Sequence, residues 1–174
     1  MATKKNSPAI AIVFLFLIAS LSSCYSLRIY PQEYRTFTYS GPRQIAYVTN
    51  PGLTREKEIL RSSGIFTITE DSLAAGCVKI NLHPLKRHPA CGQPIIASAL
   101  TLGQVPVYFP DRYNFELDET KDGKTVTKSY ELLIAQRTWF WDLFVFRKHF
   151  KEKAGQALLA NYYNTAPQTS PPEY

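Results

Sequence analysis

The period of hydrophobic and polar positions changes several times along the chain, and each period predicts an element. Residues 43–49 and 65–68 are rich in the β-branched and aromatic residues that strands favour. Between them, residues 53–63 carry an apolar side and polar faces, and Gly64 follows where a helix C-terminal cap is expected. This order predicts a short βαβ unit.

The second half of the chain predicts a hairpin and then a helix. Val78–Leu82 alternates as a half-buried strand, and the segments 113–118 and 125–134 flank the turn Lys121-Asp122-Gly123-Lys124. From Trp139 onward the period becomes helical, and Gly155 is expected to kink or split that helix. The predicted fold is α+β: a small mixed or antiparallel sheet with a βαβ unit, a C-terminal hairpin and an amphipathic C-terminal helix packed on it. The apolar face of the predicted C-terminal helix comprises Leu143, Phe146, Phe150, Ala154, Ala157 and Leu158.

The first residues have the layout of a secretory signal peptide. Lys4 and Lys5 precede an apolar stretch, residues 9–19, which ends in small residues before Cys24. Eleven helical residues rise only about 16 Å, which is short of a hydrocarbon core of about 30 Å. The segment is therefore predicted to be a cleaved leader and not a membrane span.

The exit sequence Leu21-Ser22-Ser23-Cys24 resembles the lipobox of bacterial lipoproteins. The resemblance implies that Cys24 becomes the first mature residue and carries acyl chains such as palmitate, which anchor it to a membrane. The alternative is a plain cleaved leader beside an ordinary cysteine. Tyr25 stands where Gram-negative lipoproteins retained in the inner membrane carry Asp, so the resemblance implies an outer-membrane location, facing the periplasm.

The domain boundaries follow from these segments. We predict a signal peptide at 1–23, a lipidated tether at 24–43, one α+β domain at 44–163 and a disordered tail at 164–174, where Pro167, Pro171 and Pro172 occur. Part of the tether is aromatic enough to pack as an edge strand. The net charge is +6 overall and +4 without residues 1–23, an excess too small to indicate a nucleic-acid partner.

Two cysteines remain for other roles. An oxidising periplasm favours a Cys77–Cys91 disulfide, which would close a loop of about 14 residues and stabilise the fold by roughly 3 kcal/mol. Two buried free thiols are the second interpretation. A zinc site of Cys77, His83, His88 and Cys91 has suitable ligand types, but no paired ligand spacing supports it, so we predict no metal and no cofactor.

The sequence offers little for catalysis. It lacks a nucleophile-elbow motif, a phosphate-binding loop and a dinucleotide-binding glycine pattern, so we predict that the protein is not an enzyme. The alternative is a periplasmic hydrolase that uses paired carboxylates of the 111–122 region. Strand alternation places Glu116 and Asp118 on one face, which is more often a solvated face. The acidic residues are Asp111, Glu116, Asp118, Glu119 and Asp122.

The aromatic run at residues 139–146 is the most unusual local feature. It fits a helix packed on the sheet. It also fits a contact with a membrane interface or with a partner protein, because Trp side chains suit such boundaries and the following cations would complement lipid phosphates. The candidate contact residues are Trp139, Trp141, Arg147, Lys148 and Lys151.

Two further stretches resemble known families. Residues 59–66, after the strand at 45–48, are similar to the TolB-N-terminal-like α/β domain, which also occurs in curli-secretion lipoproteins. Leu100-Thr101-Leu102-Gly103-Gln104-Val105-Pro106, with the later hairpin and tryptophans, resembles a group of uncharacterised proteobacterial lipoproteins with an LTLG-x-x-P segment. The resemblance implies a non-catalytic binding or assembly role in the bacterial envelope, with another envelope protein as partner.

Overall fold

The computed structural model describes residues 25–89, 104–139 and 149–165. Within these ranges seven strands form one mixed sheet, accompanied by two α-helices and a 3-10 helix at Gln32–Arg35. The strands are β1 (Tyr25–Tyr30), β2 (Gln44–Val48), β3 (Phe66–Thr69), β4 (Val78–Leu82), β5 (Lys86–His88), β6 (Val107–Lys121) and β7 (Lys124–Thr138). The α-helices are α1 (Thr54–Ser63) and α2 (Phe150–Thr165). The predicted α+β class is confirmed.

The chain divides into two compact units. The first comprises residues 1–26, 92–109 and 136–148, and the second comprises 27–91, 110–135 and 149–174. The hydrophobic core described below lies in the second unit.

The predicted βαβ unit is present in β2, α1 and β3. Strand β2 pairs in parallel with β3, with Gln44 opposite Phe66, and it also pairs in parallel with β4 on its other side. Helix α1 ends where the sequence predicts: Gly64 adopts a left-handed conformation (φ 66°) and its N–H donates to the Arg61 carbonyl.

The hairpin of β6 and β7 forms one half of the sheet. Asp122 (φ 51°) and Gly123 (φ 75°) both have positive φ, which is the two-residue turn that matches the twist of paired strands. Each strand has 15 residues and is longer than predicted. In sheet order the strands run β1-β7-β6-β4-β2-β3, and β5 pairs with β6 beyond the end of β4.

Alternation along the strands separates a core face from an exposed face. The inward-facing strand residues join buried residues of α1 and α2 in one cluster. We call the other side the open face; Lys79, Asn81, Glu116, Asp118 and Ser129 lie on it. The core strand residues include Ala46, Val48, Val78, Ile80, Leu82, Phe115, Leu117, Leu132 and Ile134.

The segment expected to be a tether is packed from its beginning. Its residues 25–30 form β1, the edge strand that the aromatic content predicts, and Ile29 is only 1% exposed within the core. Farther along, the Gln156 amide of α2 donates to the carbonyls of Tyr34 (3.1 Å) and Phe37 (2.5 Å). The packed structure therefore includes residues well before position 44.

Gly155 does not kink α2, contrary to the expectation from sequence. The helix is continuous from Phe150 to Thr165, and its glycine lies directly against the backbone of α1. A Cβ atom at position 155 would be 2.7 Å from Ser62 C and Ser63 N. Gly155 therefore permits the close approach of the two helices. Of the predicted apolar face, Ala154, Ala157 and Leu158 are buried and Phe150 is half-buried, whereas residues 140–148 lie outside the described residues.

We predict that Gly155→Leu lowers the free energy of unfolding by about 1–2 kcal/mol, because overpacking against rigid backbone outweighs the gain in helix propensity. Chemical denaturation followed by circular dichroism measures this change. Lys153→Leu, at an exposed position of the same helix, is the matched control and should change stability little. Equal stability of the two variants would contradict the proposed helix contact.

Candidate functional site

The acidic residues of the 111–122 region are divided between the two faces of the sheet. Asp111 is 5% exposed on the core side, where its Oδ2 accepts from Arg87 Nε (3.0 Å), Arg87 Nη2 (2.6 Å) and the Tyr113 hydroxyl (3.3 Å). Burial, followed by the nearby Asp111 charge, raises the pKa of Tyr113. Asp111 therefore joins β5 to β6 through an ion pair whose carboxylate is buried and whose Arg87 side chain is more than half exposed.

Asp118 lies at the centre of a network on the open face. Its Oδ1 accepts from the Thr127 hydroxyl (2.8 Å), and its Oδ2 contacts His83 Nε2 (2.9 Å) and accepts from the Asn81 amide (3.3 Å). These hydrogen bonds, that of Thr127 first, hold the pKa of Asp118 below its ordinary value of 3.8. A carboxyl stabilised as its anion in this way is a poor general acid.

Glu116 and Glu119 also have partners within the sheet. Glu116 accepts from Lys86 (3.2 Å) and from the Asn114 amide (2.9 Å), both near the open face. Glu119 binds Lys128 (2.7 Å) through Oε2, while its buried Oε1 has no partner among the described residues. The predicted acidic region is thus a set of separate ion pairs and not one cluster of facing carboxylates.

We predict that the carboxyl carbon of Asp118 titrates with a midpoint below 3.8 in carbon-13 NMR and that Thr127→Val moves the midpoint upward. The folded-state pKa is lowered, so this carboxylate contributes stability above its unfolded pKa of about 3.9, and the contribution is lost as pH falls through the folded pKa. Thr125→Val is the control, since Thr125 contacts Thr120. A midpoint that Thr127→Val leaves unchanged would contradict the assigned cause.

The strand register separates the residues of the cysteine–histidine loop. Cys77 precedes β4 and His83 follows it, so about 20 Å of strand lies between them. Within the described ranges, no group of three or more His, Cys, Asp or Glu side chains is arranged to hold a metal ion. Cys77 and His83 therefore do not share a zinc ion.

The predicted disulfide joins Cys77 to Cys91, and Cys91 lies outside the described residues. Lys79 pairs with Thr120 and His88 with Arg112, which places Lys79 and His88 roughly 26 Å apart along β6. Cys77 is a free, half-buried thiol whose sulfur is 3.7 Å from the Val78 carbonyl oxygen.

We expect iodoacetamide to alkylate unfolded protein at Cys77 without prior reduction, because this thiol is free. Peptide mass spectrometry of samples with and without reductant measures the modification. Alkylation that appears only after reduction would contradict the free thiol and favour the Cys77–Cys91 disulfide predicted from the sequence.

The candidate contact residues of the aromatic run are not brought together as one described surface. Trp139 is in the first unit, where its indole N–H donates to the Gln104 carbonyl (3.0 Å) and the Arg137 guanidinium lies 5.1 Å from its ring centre. Lys151, in the second unit, forms an ion pair with Glu58 of α1. Trp141, Arg147 and Lys148, like Cys24, lie outside the described residues.

The open face contains a groove that the sequence reasoning missed. It has a volume of about 560 Å³ and adjoins a smaller recess of about 250 Å³. The two cavities share His88 and Arg112, and the walls come from β1, β5, β6 and β7, which are far apart in sequence. The sequence feature that could have indicated the groove is the pair of apolar residues Leu133 and Ala135, which occupy open-face positions of β7. The groove is lined by Tyr30, His88, Pro89, Pro110, Arg112, Leu133 and Ala135, and the recess adds Tyr113, Asn114 and Glu131.

No described helix is long and apolar enough to cross a membrane. No protein-family model matches the chain, and no curated protein matches it. Among solved structures, the chain is similar to a minor lipoprotein from Acinetobacter baumannii at 12% identity and a TM-score of 0.29, over 72% of this chain and 88% of that one. It is also similar to a PelC dodecamer from Paraburkholderia phytofirmans at 13% identity and a TM-score of 0.24, over 79% of this chain and 95% of that one.

Proposed function

We propose that the protein is a bacterial envelope lipoprotein, acylated at Cys24, held at the outer membrane and facing the periplasm. The observation that carries this proposal is the sequence Leu21-Ser22-Ser23-Cys24, which follows a positively charged start and a short apolar stretch. Several acyl chains on one residue give a firm anchor, because each buried methylene contributes about 0.8 kcal/mol.

The anchored part acts as a non-catalytic binding or assembly module, with another envelope protein as partner. This assignment is supported by what the carboxylates do: Asp111, Glu116 and Asp118 are engaged in ion pairs and hydrogen bonds that join neighbouring strands. The low pKa of Asp118 disfavours the acid role that a two-carboxylate hydrolase needs. The open face contains a groove of about 560 Å³, which offers a surface for binding.

Metabolic labelling with palmitate tests the anchor. We expect the full-length protein to incorporate label and to be recovered with outer-membrane fractions on a density gradient, whereas Cys24→Ala should lose both. Cys77→Ala is the matched control, since it also removes one cysteine and should leave labelling unchanged. A Cys24→Ala variant that still incorporates palmitate would refute the proposal, and recovery with the inner membrane would refute the location.

A further inference from the structure

The fold begins immediately after the residue that carries the anchor. Tyr25 is the first residue of β1, and Ile29 is already part of the core. The chain from Cys24 to Ile29 spans at most about 17 Å, and the chain from Cys24 to Tyr30 spans at most about 20 Å. If Cys24 is acylated, as proposed above, the folded module lies against the bilayer, because no flexible linker separates the two.

The groove beside Tyr30 is chemically complementary to an amphipathic anion. Its apolar part consists of Leu133, Ala135 and two prolines, and its ionisable side chains are Arg112 and His88. Tyr30, which is 37% exposed, supplies an aromatic wall of the kind favoured where an apolar region meets water. An apolar part next to cationic groups suits a molecule with a hydrocarbon portion and a phosphate.

Arg35 lies beside Tyr30, one of the residues that line the groove. Its Nε donates to the Ile29 carbonyl (2.9 Å), and its guanidinium lies 5.2 Å from the Tyr30 ring centre. This hydrogen bond uses Nε and not the two terminal nitrogens. A guanidinium held through Nε keeps a pair of parallel donors for phosphate oxygens.

Arg112 is accessible to such a ligand even though it has a partner. Its ion pair with Glu131 is long (3.5 Å), and both side chains are more than half exposed. Pairs of this kind contribute little, so a phosphate can compete for the guanidinium.

We infer that this groove binds the headgroup region of one anionic phospholipid from the leaflet that holds the Cys24 anchor, with Arg35 and Arg112 on its phosphate and Leu133 and Ala135 against its glycerol and upper acyl carbons. This inference rests on the proposed function for its source of lipid. The short covalent path from Cys24 to Tyr30 supports a lipid over a soluble ligand. Binding orients strand β1 along the membrane surface.

Native mass spectrometry of the full-length protein, extracted in mild detergent with added phosphatidylglycerol, tests the inference. We expect one retained lipid per chain. Arg35→Gln combined with Arg112→Gln should weaken retention by about tenfold or more, since two charge-assisted contacts are lost. The control is Lys79→Gln combined with Lys124→Gln, which removes the same charge from exposed positions outside the groove and should retain the lipid. Leu133→Glu should also abolish retention by placing an anion in the groove.

Equal retention by the two double variants, or no lipid on the unmodified sequence, overturns the inference. Complete displacement by millimolar inorganic phosphate also overturns it, because the site would then recognise phosphate without the hydrocarbon. The same spectra give the mass of the N-terminal residue. An unacylated chain that still binds phosphatidylglycerol would contradict acylation at Cys24 and support lipid binding in the groove. An acylated chain without bound lipid would support acylation and contradict lipid binding in the groove.

Discussion

The register of β6 is the constraint on which the rest of the structure depends. This strand borders β7, β4 and β5, so it determines where each of them lies. Phe115 and Leu117 face the helices, and Glu116 and Asp118, which alternate with them, lie on the open face. A slip of one position would turn these two carboxylates toward the core and these two core side chains toward solvent, which is unfavourable for both pairs.

Local signals in the sequence predicted the parts that depend on a few neighbouring residues. Gly64 marks the end of α1 because only a residue that tolerates positive φ fits there, and Asp122-Gly123 specifies the hairpin for the same reason. The βαβ unit follows from the change of period around α1. These predictions hold because backbone conformation at a cap or turn, and hydrophobic periodicity, depend on residues within one turn or one strand.

Predictions that required contacts distant in sequence were wrong or incomplete. Gly155 was expected to break a helix, but its role is set by the backbone of α1, which approaches from residues 62 and 63. The sequence placed Glu116 and Asp118 on one face, but it did not show that Asn81 of β4, Lys86 of β5 and Thr127 of β7 donate to them. The groove was missed because four strands contribute its walls.

The position of α2 in the chain has a consequence for when the fold can close. Its residues Ala154, Ala157 and Leu158 are fully buried against elements formed by much earlier parts of the chain, and α2 begins about ninety residues after α1 ends. Until α2 is available, only α1 covers part of the core side of the sheet. The core can therefore close completely only after residues 150–165 have been synthesised, near the end of the chain.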